Sequence, residues 1–110
     1  MTFEIERREH PNGRCLRLSM TGDLDLYTAP RLDDALVAAE GEKWPEIVLD
    51  LSDLGFMDSS GLRLLARAHA RAEQDGRRVL VVQGPEHVAR VLRLTGLDRE
   101  LEVVEAYPED

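Results

Sequence analysis

Ile47-Val-Leu-Asp-Leu51 is an apolar run that leads, within a few residues, into Asp58-Ser59-Ser60-Gly61 and an apolar-periodic stretch from Leu62. The pattern returns at Val79-Leu-Val-Val82, which is followed by Pro85 and by Val88, Val91 and Leu92 at helical spacing. A short apolar run with no polar alternation suits a strand covered on both faces. Apolar residues three and four apart suit a helix with one buried stripe. Strands that alternate with helices must pair in parallel through right-handed crossovers. The second half of the chain therefore reads as α/β.

The first half begins differently. Phe3-Glu-Ile-Glu-Arg7 and Cys15-Leu-Arg-Leu-Ser-Met20 alternate, with Leu16, Leu18 and Met20 on one face. His10-Pro-Asn-Gly13 lies between them, and Asn-Gly is a strong hairpin signal. An N-terminal antiparallel hairpin makes the sheet mixed. Thr28 caps a first helix with Pro30 in its tolerant first turn, Leu32, Leu36 and Ala39 inward, and Gly41 at its end. A second helix is predicted from Ser59 to Gln74, with Leu62, Leu65, Ala66, His69 and Ala72 inward and Asp75-Gly76 as its stop. Thr95-Gly96-Leu97 ends a third helix, and Leu101-Glu-Val-Val104 is a last short strand. The whole, 1–110, reads as one domain with a core over about 3–104 and an acidic, frayed tail over 105–110.

Composition narrows the function. The formal net charge is −8, which disfavours phosphate backbones and anionic membrane surfaces. The single cysteine, Cys15, excludes an internal disulfide framework and suits a reducing compartment. The N-terminus reaches charge at once and shows neither a leader nor a membrane span, so the expected location is cytoplasmic. His10, His69 and His87 are too far apart for a metal site, and neither Gly-rich phosphate loop occurs. No cofactor is expected. A serine hydrolase would set its nucleophile in Gly-x-Ser-x-Gly, whereas this turn reads Met57-Asp58-Ser59-Ser60-Gly61.

Three features could carry function. The Asp58 turn puts two hydroxyls at a helix start, where free N–H groups and the dipole favour an anion. The same residues also serve as a plain N-cap. If Asp58 caps, Ser59 projects to solvent while Ser60, turned by about 100°, faces the sheet. Gly61 either leaves the neighbouring hydroxyl accessible or permits close packing; the access reading expects Gly61→Leu to fold. Asp23 and Asp25, in Gly22-Asp-Leu-Asp-Leu-Tyr-Thr28, form a second turn, adjacent to the first only if both strands point the same way. Arg63, Arg67 and Arg71 form a basic stripe at i, i+4, i+8, either a solvated face or a contact surface for an acidic partner or ATP phosphates.

Together these segments resemble the STAS domain of bacterial anti-sigma factor antagonists. Gly22-Asp-Leu-Asp-Leu-Tyr-Thr-Ala-Pro30 is similar to the family's Gly-Glu-Leu-Asp-x-x-Thr-Ala segment. Ile47 to Leu62 resembles its central strand and phosphorylation turn, and Arg90-Val-Leu-Arg-Leu-Thr-Gly-Leu97 its third helix. The resemblance implies a mixed β-sheet with an N-terminal hairpin, packed with about four helices. It implies a binding module, not an enzyme. The unphosphorylated form would bind an anti-sigma factor serine kinase and release a sigma factor. Phosphate on Ser59 would end that binding, and a PP2C-type phosphatase would restore it. The implied contact residues are Asp23, Asp25, Thr28, Met57, Asp58, Ser59, Ser60, Gly61, Arg63 and Arg67. Two alternatives stay open: an unphosphorylated STAS subunit of a transporter or stress-signalling complex, and a small enzyme using Asp58 or Ser59.

Overall fold

The computed structural model describes residues 3–106. The end of the expected acidic tail, residues 107–110, lies outside them. Ten elements follow in order: β1 (Glu4–Glu9), β2 (Cys15–Leu24), α1 (Ala29–Gly41), β3 (Glu46–Asp50), β4 (Leu54–Met57), α2 (Ser59–Asp75), β5 (Arg78–Val82), α3 (Glu86–Thr95), α4 (Leu97–Glu100) and β6 (Glu102–Val104).

The hairpin forms as its turn residues dictate. The His10 N–H donates to the Cys15 carbonyl at 2.9 Å, the Gly13 N–H to the His10 carbonyl at 2.9 Å, and β1 runs antiparallel to β2. The other strand pairs are parallel, and the sheet order is β1-β2-β3-β5-β6 with β4 beside β2. The sheet is therefore mixed, as the alternating runs and the N-terminal hairpin predict, and packed with four helices, as the family resemblance implies, where the apolar pattern alone marks three.

Side-chain alternation sorts β2, β3 and β5 into two faces. Leu16, Leu18, Met20, Ile47, Leu49, Val79 and Val81 share one core with Leu32, Leu36 and Ala39 of α1, Leu62, Leu64, Leu65, Ala68 and Ala72 of α2, and Val88 and Leu92 of α3. Each fully buried Leu or Val there contributes about 1.5–3 kcal/mol relative to exposure. Cys15, Val48, Leu80 and Val82 form a smaller cluster through the opposite face. Asp50, only 2% exposed, sits on that face with Arg17. Arg17 Nε and Nη2 donate to Asp50 Oδ2 at 2.9 and 2.5 Å. Burial works to raise the Asp50 carboxyl, but hydrogen bonds from Ser52 and the Arg17 charge outweigh it and hold it below the usual carboxylate range.

Two local expectations change. The strand predicted over Cys15–Met20 continues to Leu24, so Asp23 lies in β2 and not in a turn. A bulge between Gly22 and Asp23 lets the strand continue, with Gly22 at φ 89°. Leu54–Met57 is a separate strand, parallel to the end of β2. No separate strand is expected here from the sequence; the turn at Ser52-Asp53 divides it from β3.

Candidate functional site

The pairing of β2 with β4 assembles the site. Asp23 is in register with Phe56 and Leu24 with Met57, so both chains leave the sheet at the same edge. The Asp58 N–H donates to the Leu24 carbonyl at 3.1 Å and joins the two exits. The condition for the two turns to be neighbours, strands pointing the same way, is met.

Asp58 caps α2 as its residue type predicts. Its backbone is extended, at φ −107° and ψ −169°, and its Oδ1 accepts from the Ser60 N–H at 2.8 Å. That bond satisfies one of the orphan donors at the helix start. Ser59 is then the first residue of α2 and is exposed, while Ser60 is half-buried. Among the described residues the Ser59 hydroxyl makes no hydrogen bond. It is left available for chemistry brought by another molecule.

Asp25 builds the other turn. Its Oδ1 accepts from the Tyr27 and Thr28 N–H groups at 2.9 and 3.0 Å. The Thr28 hydroxyl donates to the Asp23 carbonyl at 2.7 Å and accepts from the Asp25 N–H at 2.9 Å. Thr28 occupies the N-cap of α1 but spends its oxygen on this turn, with no side-chain cap on the helix. The result is a fixed loop that holds Leu26 and Tyr27 out in solvent, 66% and 87% exposed. Phe56, 47% exposed on the adjoining β4, adds a third apolar side chain at this edge.

Met57 and Gly61 point inward. Met57 is 4% exposed, and Gly61 is buried. A Cβ on Gly61 would stand 2.7 Å from Met57 Cγ and 2.9 Å from Leu24 Cδ2. The glycine lets α2 settle on the ends of β2 and β4. Close packing, rather than access to the hydroxyl, is what Gly61 supplies, and Gly61→Leu has no room.

The arginine stripe divides. Arg71 is bound to α1: its Nε donates to Glu40 at 3.0 Å, and its Nη2 lies 3.7 Å from Asp33. Arg63 and Arg67 line a groove of about 220 Å³ between α1 and α2, with Leu26, Ala29, Pro30, Asp33, Ser60 and Leu64. Neither has an ion pair among the described residues. His87 donates from Nε2 to the Gly55 carbonyl and ties the start of α3 to β4. Spacing in the chain gave no sign of that contact, nor of exposed Phe56 beside the turn. No described helix is long and apolar enough to cross a membrane.

A family model described as "Mlab, STAS domain" matches residues 8–105. The anti-sigma-B factor antagonist of Staphylococcus epidermidis is 28% identical over 97 residues, which cover 88% of each chain. A crystal structure of an anti-sigma factor antagonist from Mycobacterium paratuberculosis is similar at a TM-score of 0.82 and 27% identity, over 96% of this chain and 87% of that one. The Bacillus cell fate determinant SpoIIAA, solved in its phosphorylated form, shares the fold at a TM-score of 0.68 and 19% identity, over 94% of this chain and 91% of that one. With this fold and this coverage the chain belongs to the STAS domain family, and anti-sigma factor antagonists are among its relatives there.

Proposed function

We propose that this domain is a partner-switching regulator whose unphosphorylated form binds an anti-sigma factor serine kinase and whose binding ends when Ser59 is phosphorylated. The observation that carries this reading is the placement of Ser59. It is the exposed first residue of α2, its hydroxyl is unused, and it follows the sheet edge at which β2 and β4 end together and Leu26, Tyr27 and Phe56 are exposed. A relative of the same fold has been solved in a phosphorylated form. In the transfer the Ser59 oxygen forms a bond to the γ-phosphorus of ATP, the bond to the β-phosphate oxygen breaks, and ADP leaves. The hydroxyl proton passes to a base on the kinase. The domain is the substrate and contributes the nucleophile and a rigid seat.

The phosphate brings a charge of about −1.5 to −2. The dipole of α2 tolerates it, so the fold stays intact. At the interface a dianion meets a surface complementary to a neutral hydroxyl. Like-charge contact and uncompensated desolvation there weaken binding by a factor of ~100 or more. A PP2C-type phosphatase reverses the step.

The test is incubation with an anti-sigma factor serine kinase from the same genome and ATP, then intact mass and peptide mapping. One phosphate on Ser59 is expected, with none on Ser59→Ala. Ser59→Ala binds the kinase permanently and Ser59→Glu weakly. Phosphate mainly on Ser60, or unchanged affinity after phosphorylation, refutes the switch.

A further inference from the structure

Arg63 and Arg67 are two neighbouring cations on one helix of a chain of net charge −8. Neighbouring Arg71 is held by Glu40 and Asp33, and the arginines on the sheet, such as Arg17 and Arg78, are matched with Asp50, Glu46 and Glu102. Arg63 and Arg67 are exposed, lie one turn apart on the same helix face, and have no ion pair among the described residues, although Asp33 lines the same groove. Like charges at i, i+4 repel, so this face gains from an anion. Ser59 lies four residues before Arg63 on α2, which brings their Cβ atoms to about 5–6 Å. An arginine presents a planar fork matched to phosphate oxygens, and its length spans that separation.

Building on the proposed phosphorylation, we propose that Arg63 is the internal receptor for the phosphate on Ser59. The guanidinium swings from the mouth of the α1–α2 groove to the phosphate oxygens one turn away. The groove then loses one of its two cations, while its apolar lining of Leu26, Ala29, Pro30 and Leu64 stays in place. Modification therefore acts twice: it adds a dianion at Ser59 and withdraws from the groove a cation that a partner carboxylate would meet. Arg67, a further turn along, stays at the groove.

The test needs no partner. Phosphoserine is installed at Ser59 by genetic encoding, and the second ionisation of the phosphate is followed by phosphorus NMR. Three proteins are compared at low salt: the parent, Arg63→Gln and Arg67→Gln. Both arginines are exposed, so the variants fold, which circular dichroism checks. Asp23, Asp25, Asp33 and Asp58 also face this region from β2, its loop, α1 and the helix cap. They act on the phosphate equally in all three proteins and cancel from the comparison. Arg63→Gln is expected to raise the phosphate pKa by about 0.5 unit over the parent. Arg67→Gln is expected to move it much less, and added salt to shrink the difference. Equal shifts in the two variants, or no shift in Arg63→Gln, overturn the proposal. That result would leave the Ser59 switch standing, because phosphate incorporation by the kinase is measured separately. A kinase that ignores Ser59 would refute the switch but would not alter the reading on the encoded phosphoserine.

Discussion

Replacing Gly61 by alanine adds one carbon at the most crowded point of the switch region. That carbon would stand 2.7 Å from Met57 Cγ, 2.9 Å from Leu24 Cδ2 and 3.0 Å from Leu24 Cγ. Met57 Cγ lies mid-chain, and the Leu24 methyl has nowhere to turn because Leu24 is fully buried, so relief requires α2 to lift from the ends of β2 and β4. Overpacking of this kind costs about 1–3 kcal/mol. Alanine in a helix recovers about 0.5–1 kcal/mol of backbone entropy relative to glycine. The two effects oppose, and the clash is larger, so a net loss of roughly 0.5–2 kcal/mol is expected. In a domain of this size each kcal/mol lowers Tm by about 4–8 °C. Urea unfolding measures the loss as a lower midpoint at unchanged slope. The double variant Met57→Ala with Gly61→Ala should lose less than the two single losses added, because the first change vacates the space that the second fills. A Gly61→Ala protein more stable than its parent would show that the glycine is not there for packing.

Asp58→Ala removes the acceptor of the Ser60 N–H and should cost about 1 kcal/mol of stability, with faster amide exchange confined to the first turn of α2. Asp25→Ala strips the acceptor shared by the Tyr27 and Thr28 N–H groups; exchange at those two amides should quicken while the sheet stays protected. Arg17→Ala leaves the Asp50 carboxylate buried without its cation and should cost up to about 3 kcal/mol by urea unfolding, the low end for a buried pair because Arg17 is partly exposed. The folded-state pKa of Asp50 is depressed, so its contribution is present above the unfolded carboxylate value of about 3.9 and is lost as pH falls through the folded value. Acid titration of the parent and of Asp50→Asn should therefore converge at low pH, and parallel curves down to full protonation would sink that assignment.

Local chemistry made the hairpin and the cap readable. Asn12-Gly13 announces a tight turn, and Asp58 followed by an apolar-periodic stretch announces a helix start; both form as expected. What the chain hides are decisions made between distant segments. Gly22-Asp23-Leu24 looks like part of a turn because glycine and aspartate are poor strand formers, yet pairing with Leu54–Met57 draws it into the sheet, and only from Asp25 on does the turn form. Periodicity put Arg63, Arg67 and Arg71 on one face without telling them apart, since only the position of Glu40 and Asp33 on α1 decides which is held. Gly61 had two sufficient explanations until the side chains of Leu24 and Met57 were located beneath it.

The same contacts bear on how a phosphate at Ser59 would act. The residue before it is tied by backbone to Leu24, its Asp58 carboxylate is committed to the cap, and the glycine two positions on rests against the ends of two strands. A seat held on three sides has little freedom to unfold in response to one added group. Melting α2 would also expose Leu62, Leu64, Leu65, Ala68 and Ala72, an apolar surface whose burial is worth several kcal/mol. An exposed dianion at a helix start, screened by water and favoured by the dipole, cannot supply that. The effect of modification therefore belongs to the surface around Ser59 and to any molecule that docks there. Circular dichroism of the phosphorylated domain should match that of the unmodified one, and loss of helix signal would return the cause to the fold.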